Sequence, residues 1–483
     1  MWPVIRRPGA APPTAPHRRY APTPPEAGPA TAPERSARAG LYPGEPETCR
    51  RDVRHFLPVL GHLAILLYVY REYRVEGRAF QSLVLFALAA LPVHYALPYR
   101  WKKPAFVAVS VAGLGWIFGA GTAAVVLALA AVMIGLCYLP APWPVRAGLV
   151  AAFAVAAALL RPGAAFAAGI PANVWPVLAA MFMFRMIVYL YELKHSKEPE
   201  TLVDTLSYFF LLPNACFMHF PVVDYRTFQR GYFAREVHET QRAGLRMMFK
   251  GAVHLLLYRL VYHELLVPAE EVRDAAGLAG HLVCNYLLYL RVSGQFHTAC
   301  GMLHLFGFAL PETHRNYLLA TSFTDYWRRI NIYWKDFMVR VVFNPVVFRL
   351  KRWPRPAALA AATAVVFVTT WALHAYQSFW LRGTWGLGAP DALFWGVLGL
   401  LVMVNVQLDA RRSGARKAKA DPWAPRRLAL RAAKTAGTFV TIALLWSLWS
   451  SPSVGAWVSL LSRGLGGGWG VSDWAGTVAG IME

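Results

Sequence analysis

The chain has 483 residues, of which 57% are hydrophobic and only 16% charged, and its formal net charge is +23 from 49 Lys and Arg against 26 Asp and Glu. Ordinary globular chains carry about 25% charged residues. That deficit, with repeated apolar runs of about spanning length, excludes a string of soluble domains and predicts an all-α polytopic membrane protein. In a soluble chain the basic excess would point to nucleic acid. Here Lys and Arg cluster between apolar runs, which reads as a positive-inside bias and contact with the anionic headgroups of a lipid bilayer.

Residues 1–54 hold twelve prolines, nine arginines and no apolar run. This composition predicts a disordered, basic, cytosolic tail rather than a signal peptide, which needs a continuous apolar stretch. The membrane domain is expected over 55–483. Candidate spans occur at 56–70, 79–97, 105–119, 122–139, 147–167 and 174–193. Within them Gly115 and Gly119 stand four apart, a spacing that predicts close helix packing, and Pro140, Pro142 and Pro144 end that pair of spans.

Residues 201–222 are apolar but interrupted by Pro213, Asn214 and Pro221, which predicts a broken or re-entrant segment. His219 within it reads as a satisfied polar residue. A basic loop is expected over 223–250, with Arg226, Arg230, Arg235, Arg242, Arg246 and Lys250, then a span at 251–267 and an acidic outer loop with Glu270, Glu271 and Asp274. The run 278–310 is too long for one span, and the stretch up to residue 350 is too polar for another, so broken, tilted or re-entrant helices around an internal cavity are expected there. Spans at 357–381, 390–408 and 431–450 complete the domain, with a basic loop at 409–431 and a weak apolar segment near 454–480. The total is about 9–12 spanning or re-entrant helices. The basic segments, the tail included, are all expected on the cytosolic side of a cell membrane.

The five cysteines are odd in number and form no C-x-x-C pair, so they read as small packing residues rather than a disulfide framework or zinc site. His263-Glu264 is not a metalloprotease helix, because Val267 stands where H-E-x-x-H needs histidine. His297, Cys300 and His304 recur at helical spacing, but further ligands are not evident, so hydrogen bonding and packing are expected and no metal is assigned.

The stretch 322–337 reads SFTDYWRRINIYWKDF and sets Asp325, Arg328, Arg329, Lys335 and Asp336 between long apolar runs. Charged groups near a membrane interior need partners, water or a task. Further on, His374 is the only group that titrates near neutrality in VVFVTTWALHAYQSFWL.

These pieces carry a resemblance. SFTDYWRRINIYWKDF resembles the signature of the membrane-bound O-acyltransferase (MBOAT) family, in which a D-[FY]-W-x-R-[WF]-[HN] core precedes a later histidine. SGQFHTACGMLHLFGFALPETHRNYLLATS is similar to the segment leading into that core, and ALHAYQSFWLRG to the family's W-H-G segment, with His374 on the histidine. The likeness covers roughly residues 290–385, with a fainter echo at 208–228. Leu373 and Ala375 stand where the family has tryptophan and glycine. Asn331 occupies a position where the acyltransferases of envelope polymers carry histidine, and resembles the lipid- and protein-modifying branches.

The resemblance implies transfer of an acyl group from a thioester, acyl-CoA as cosubstrate, to a hydroxyl of a lipid or glycan, without a permanently bound cofactor. His374 is then the general base, since neutral imidazole takes a proton near neutrality. Asn331 is the oxyanion donor or orients the acceptor. Trp327, Tyr333 and Trp334 line an acyl or pantetheine channel, Arg328, Arg329 or Lys335 meets phosphates at the cytosolic mouth, and Asp325 completes the binding set. Two alternatives stand beside this reading. One is an MBOAT-type component of envelope polysaccharide O-acetylation with an extracytoplasmic partner protein. The other is a transporter using the same polar residues as a pathway, although the internal repeats common in transporters are not evident.

Overall fold

The computed structural model describes residues 41–161, 170–195, 201–215, 223–412 and 424–466. The tail up to residue 40, His219, most of the basic loop at 409–431 and the stretch from 467 onward lie outside the described residues. Secondary structure among those described is helical: α1 (Val53–Glu72), α2 (Arg78–Ala96), α3 (Tyr99–Phe118), α4 (Ala120–Cys137), α5 (Trp143–Leu159), α6 (Val174–His195), α7 (Leu202–Phe209), α8 (Tyr225–Arg230), α9 (Val237–Leu260), α10 (Ala275–Leu287), α11 (Leu290–Leu305), α12 (Phe323–Ile330), α13 (Ile332–Met338), α14 (Asn344–Arg349), α15 (Arg355–Arg382), α16 (Ala389–Arg412), α17 (Pro425–Ser450) and α18 (Val454–Gly464). Seven of them (α1, α2, α4, α6, α15, α16 and α17) are long and apolar enough to cross a membrane. The chain is an all-α, polytopic helical protein.

The expected spans fall on helices, with three corrections. First, the fold begins before residue 54. Cys49 is buried, Glu45 accepts from the Tyr99 amide at 2.6 Å and pairs with Arg51, and Asp52 caps α1 by accepting from the Arg54 amide at 2.9 Å. Residues 41–54, which composition groups with the tail, therefore belong to the body; proline content hid one carboxylate that ties three segments together. Second, the loop expected over 223–250 holds two helices. In α9 the residues Val237, Gln241, Gly244, Leu245, Met248 and Leu255 make one buried face while Arg242 and Arg246 stay exposed. This is an amphipathic helix whose charges mask its apolar stripe. Third, Gly119 takes φ 82 as the turn between α3 and α4, and a side chain at Gly115 would meet open space. That pair does not pack helices together.

The glycines that do so face each other between α9 and α11. A Cβ on Gly244 would lie 2.6 Å from the Gly301 carbonyl, and one on Gly251 would lie 2.7 Å from that of Gly294. Small residues seven apart on both helices let the backbones touch. The run expected to be broken does break, at Leu288 and Tyr289, between α10 and α11.

Short turns make successive helices antiparallel, so polar contacts gather at two ends. At one, Tyr42 reaches the Ala96 carbonyl, Lys103 pairs with Asp204 and Gln229, Tyr138 meets Thr205, and Glu192 pairs with Arg226 and Arg340. At the other, Arg259 donates to the Arg74 carbonyl, Arg161 donates to the carbonyls of Phe379 and Trp380, and Trp449 donates to Asp391. Of the segments expected to be cytosolic, the described joins at 97–103, 223–236 and 350–355 share the first end with residues 41–52, whereas α9 carries residues 237–250 away from it toward the second.

Candidate functional site

The stretch 322–337 is two helices joined at Asn331. Ser322 starts the first by accepting from the Asp325 amide at 3.1 Å, while the Asp325 carboxylate accepts from the Thr321 amide at 3.1 Å. A serine three residues ahead of an acidic side chain is the sequence form of a capping box. Asn405 of α16 accepts from the Phe323 amide at 2.8 Å. Asp325 also pairs with Arg329 one turn on, at 2.7 Å.

The helix stops because its last carbonyls find partners outside it. Arg329 accepts from the Arg315 amide (3.1 Å), Ile330 accepts from the Tyr289 hydroxyl (3.1 Å), and the Ile332 amide donates to Thr313 (2.8 Å). Asn331 is thereby extended, with φ −152 and ψ 91, and its Oδ1 accepts from the Trp334 amide at 3.1 Å as the cap of α13.

Both helices lean on one face of α15. Trp327 packs against Phe367 with ring centroids 4.7 Å apart, Trp334 donates to Thr370 at 3.4 Å, and the Trp334 ring lies 5.7 Å from that of His374. Residues 367, 370 and 374 share a helix face by the three- and four-residue repeat. His374 is half-buried. Trp395 of α16 lies 4.7 Å from it and Trp449 of α17 6.0 Å, so three indoles from three elements surround the imidazole. Asn331 and His374 both contact Trp334, one at its backbone amide and the other at its ring.

The other expected residues have separate partners. Tyr333 is buried and donates to the Pro311 carbonyl at 2.7 Å. Lys335 pairs with Asp336, as Arg329 does with Asp325, so each of these two cations has a carboxylate on its own helix. Arg328 is half-buried. An apolar cleft of about 300 Å³ opens between α4, α5, α6 and α15; Tyr376 and Trp380 line it, two and six residues beyond His374.

Behind the Asn331 break lies a buried polar cluster, of which the sequence pattern had singled out His297 alone. Tyr289 donates its one hydroxyl proton to Ile330, so the 3.0 Å contact with His314 Nε2 makes that nitrogen the donor. His314 Nδ1 then accepts from Thr313 at 3.0 Å, and the Thr313 oxygen, 3.4 Å from His297 Nδ1, accepts from it. His297 Nε2 is left an acceptor, buried and without a hydrogen-bond partner among the described residues. His254, 5.4 Å away ring to ring, bonds Ser293. Helical spacing singled out His297, but nothing in the sequence pattern marked Tyr289, Thr313 or His314 as its neighbours.

His297, Cys300 and His304 turn to different partners: Thr313, Tyr333 and the Leu310 backbone. Among the described residues there is no group of three or more His, Cys, Asp or Glu side chains disposed to hold a metal. Comparison with models of known protein families and with curated proteins finds no match to this chain.

Proposed function

We propose that the chain is a membrane-bound O-acyltransferase that moves an acyl group from a thioester, acyl-CoA as cosubstrate, to a hydroxyl of a lipid or glycan. One observation carries this reading: Trp334, in the segment resembling the family's core, packs on His374, in the segment resembling its histidine motif. The resemblance joins these two pieces by function and the fold joins them by contact.

In the proposed chemistry the acceptor hydroxyl gives its proton to His374 as its oxygen attacks the thioester carbonyl. The oxyanion takes hydrogen bonds from the Asn331 amide. Its Oδ1 is engaged with the Trp334 amide, so Nδ2 is what it offers. Collapse of the intermediate breaks the C–S bond, and the departing thiolate recovers the proton from His374. The indoles of Trp334, Trp395 and Trp449 keep water from competing with the acceptor.

The envelope reading draws support from depth. His374 lies eight residues before Arg382 at the end of α15, about 12 Å by helical rise. It therefore sits toward the end away from the basic segments. With those segments cytosolic, an acceptor enters from the extracytoplasmic side. Mass spectrometry of lipids and envelope glycans from a deletion strain tests both readings. An acyl ester that vanishes on deletion and returns with the wild-type chain identifies the acceptor, and an unchanged ester profile would sink the proposal.

A further inference from the structure

At the end of the molecule away from the basic segments, a cleft of about 200 Å³ lies between the α1–α2 turn, the end of α9 and the start of α11. The turn is bent in an unusual way. Arg74 and Glu76 take φ 46 and 57, left-handed backbone that side-chain-bearing residues rarely adopt, and strain of this kind concentrates at ligand sites.

Two contacts hold the turn. Arg259 donates to the Arg74 carbonyl at 3.0 Å. Arg291, over the Tyr258 ring, grips both carboxylate oxygens of Glu76 at 2.9 Å. The fork neutralises Glu76 with Arg291 and leaves Arg74 and Arg259 as two further guanidinium charges lining the cleft. Neither has a carboxylate partner among the described residues.

We infer that this cleft binds a phosphate group, carried by a lipid headgroup or by a soluble phosphoester. Two guanidinium groups present several N–H donors to tetrahedral oxygens and match a charge of one to two. The cleft sits at the end of two membrane-length helices, α1 and α2, the level at which headgroups lie. Two arginines lining one cleft without a carboxylate partner among the described residues leave positive charge there, which an anion neutralises. The site is independent of the acyl-transfer reading, because His374 and its indoles belong to other elements.

The test is native mass spectrometry of the full-length protein in detergent with phosphatidylglycerol, with diacylglycerol as a phosphate-free control, and separately with glycerol phosphate. We expect one equivalent of phosphatidylglycerol and no comparable retention of diacylglycerol. Arg74→Gln should weaken phosphatidylglycerol binding about tenfold or more, the effect of losing one charged hydrogen bond. Arg259→Gln should do likewise; should it not fold, because Arg259 also holds the turn, Arg74→Gln decides alone. Arg352→Gln, at the other end, should leave binding unchanged. Glycerol phosphate that binds as well as the lipid makes the ligand a soluble phosphoester, and glycerol phosphate that does not bind makes it a headgroup. Failure of both probes to bind, or equal binding to wild type and Arg74→Gln, or equal loss in Arg352→Gln, overturns the site.

Discussion

At the scale of single residues, His374 is separable from a packing histidine by one substitution. Glutamine keeps bulk and hydrogen bonding but takes no proton at neutral pH. A general base contributes about 10²–10⁴-fold in rate, so His374→Gln should reduce acyl transfer by at least about a hundredfold while its melting temperature in detergent stays near wild type. Turnover above about a tenth of wild type would remove His374 as the base.

Among the elements, the joint at Asn331 depends on groups far from it in sequence. Tyr289 satisfies the Ile330 carbonyl and is itself held by His314. Tyr289→Phe leaves that carbonyl unmet, which costs about 1–3 kcal/mol. Faster hydrogen exchange over residues 329–334 is expected with it, and unchanged exchange there would place the pin elsewhere. The α9–α11 pair predicts a cost of its own. At Gly251 a methyl group would meet the Thr298 side chain and the Gly294 carbonyl, so Gly251→Ala should destabilise by about 1–3 kcal/mol as the helices separate. A melting temperature equal to wild type would contradict the close approach. These elements also separate what is local in the sequence from what the fold imposes. Capping at Ser322 and Asp325 is local, and it is legible in SFTD. The stop at Asn331 is not, because Thr313, Arg315 and Tyr289 impose it across the fold. The buried face of α9 was hidden by the charges on its exposed side. His374 was legible as the one group in its apolar run that titrates near neutrality, but the indoles of Trp395 and Trp449 around it come from helices that look like ordinary apolar spans.

For the whole molecule, the question is which end faces the cytosol. Seven membrane-length helices, two further long helices richer in charge (α3 and α9) and the shorter α5 divide the connections between two ends. Lys and Arg bias the orientation when they lie in short connections near the spans. The joins at 97–103, 223–236 and 350–355 share one end with residues 41–52, so the positive-inside rule assigns that end to the cytosol. Arg352 and Thr384 are exposed at opposite ends of α15, and a cysteine at either site tests the assignment. Among the described residues the native cysteines Cys49, Cys137, Cys284 and Cys300 are buried and should react slowly, and Cys216, outside them, is replaced by serine in the labelling background. In intact cells a membrane-impermeant maleimide should label Thr384→Cys, and it should label Arg352→Cys only after permeabilisation. The reverse pattern would invert the protein and put His374 nearer the cytosolic face, removing the support for an extracytoplasmic acceptor. Labelling of both sites without permeabilisation would mean that α15 does not cross the bilayer, and the proposed reaction would lose its membrane setting.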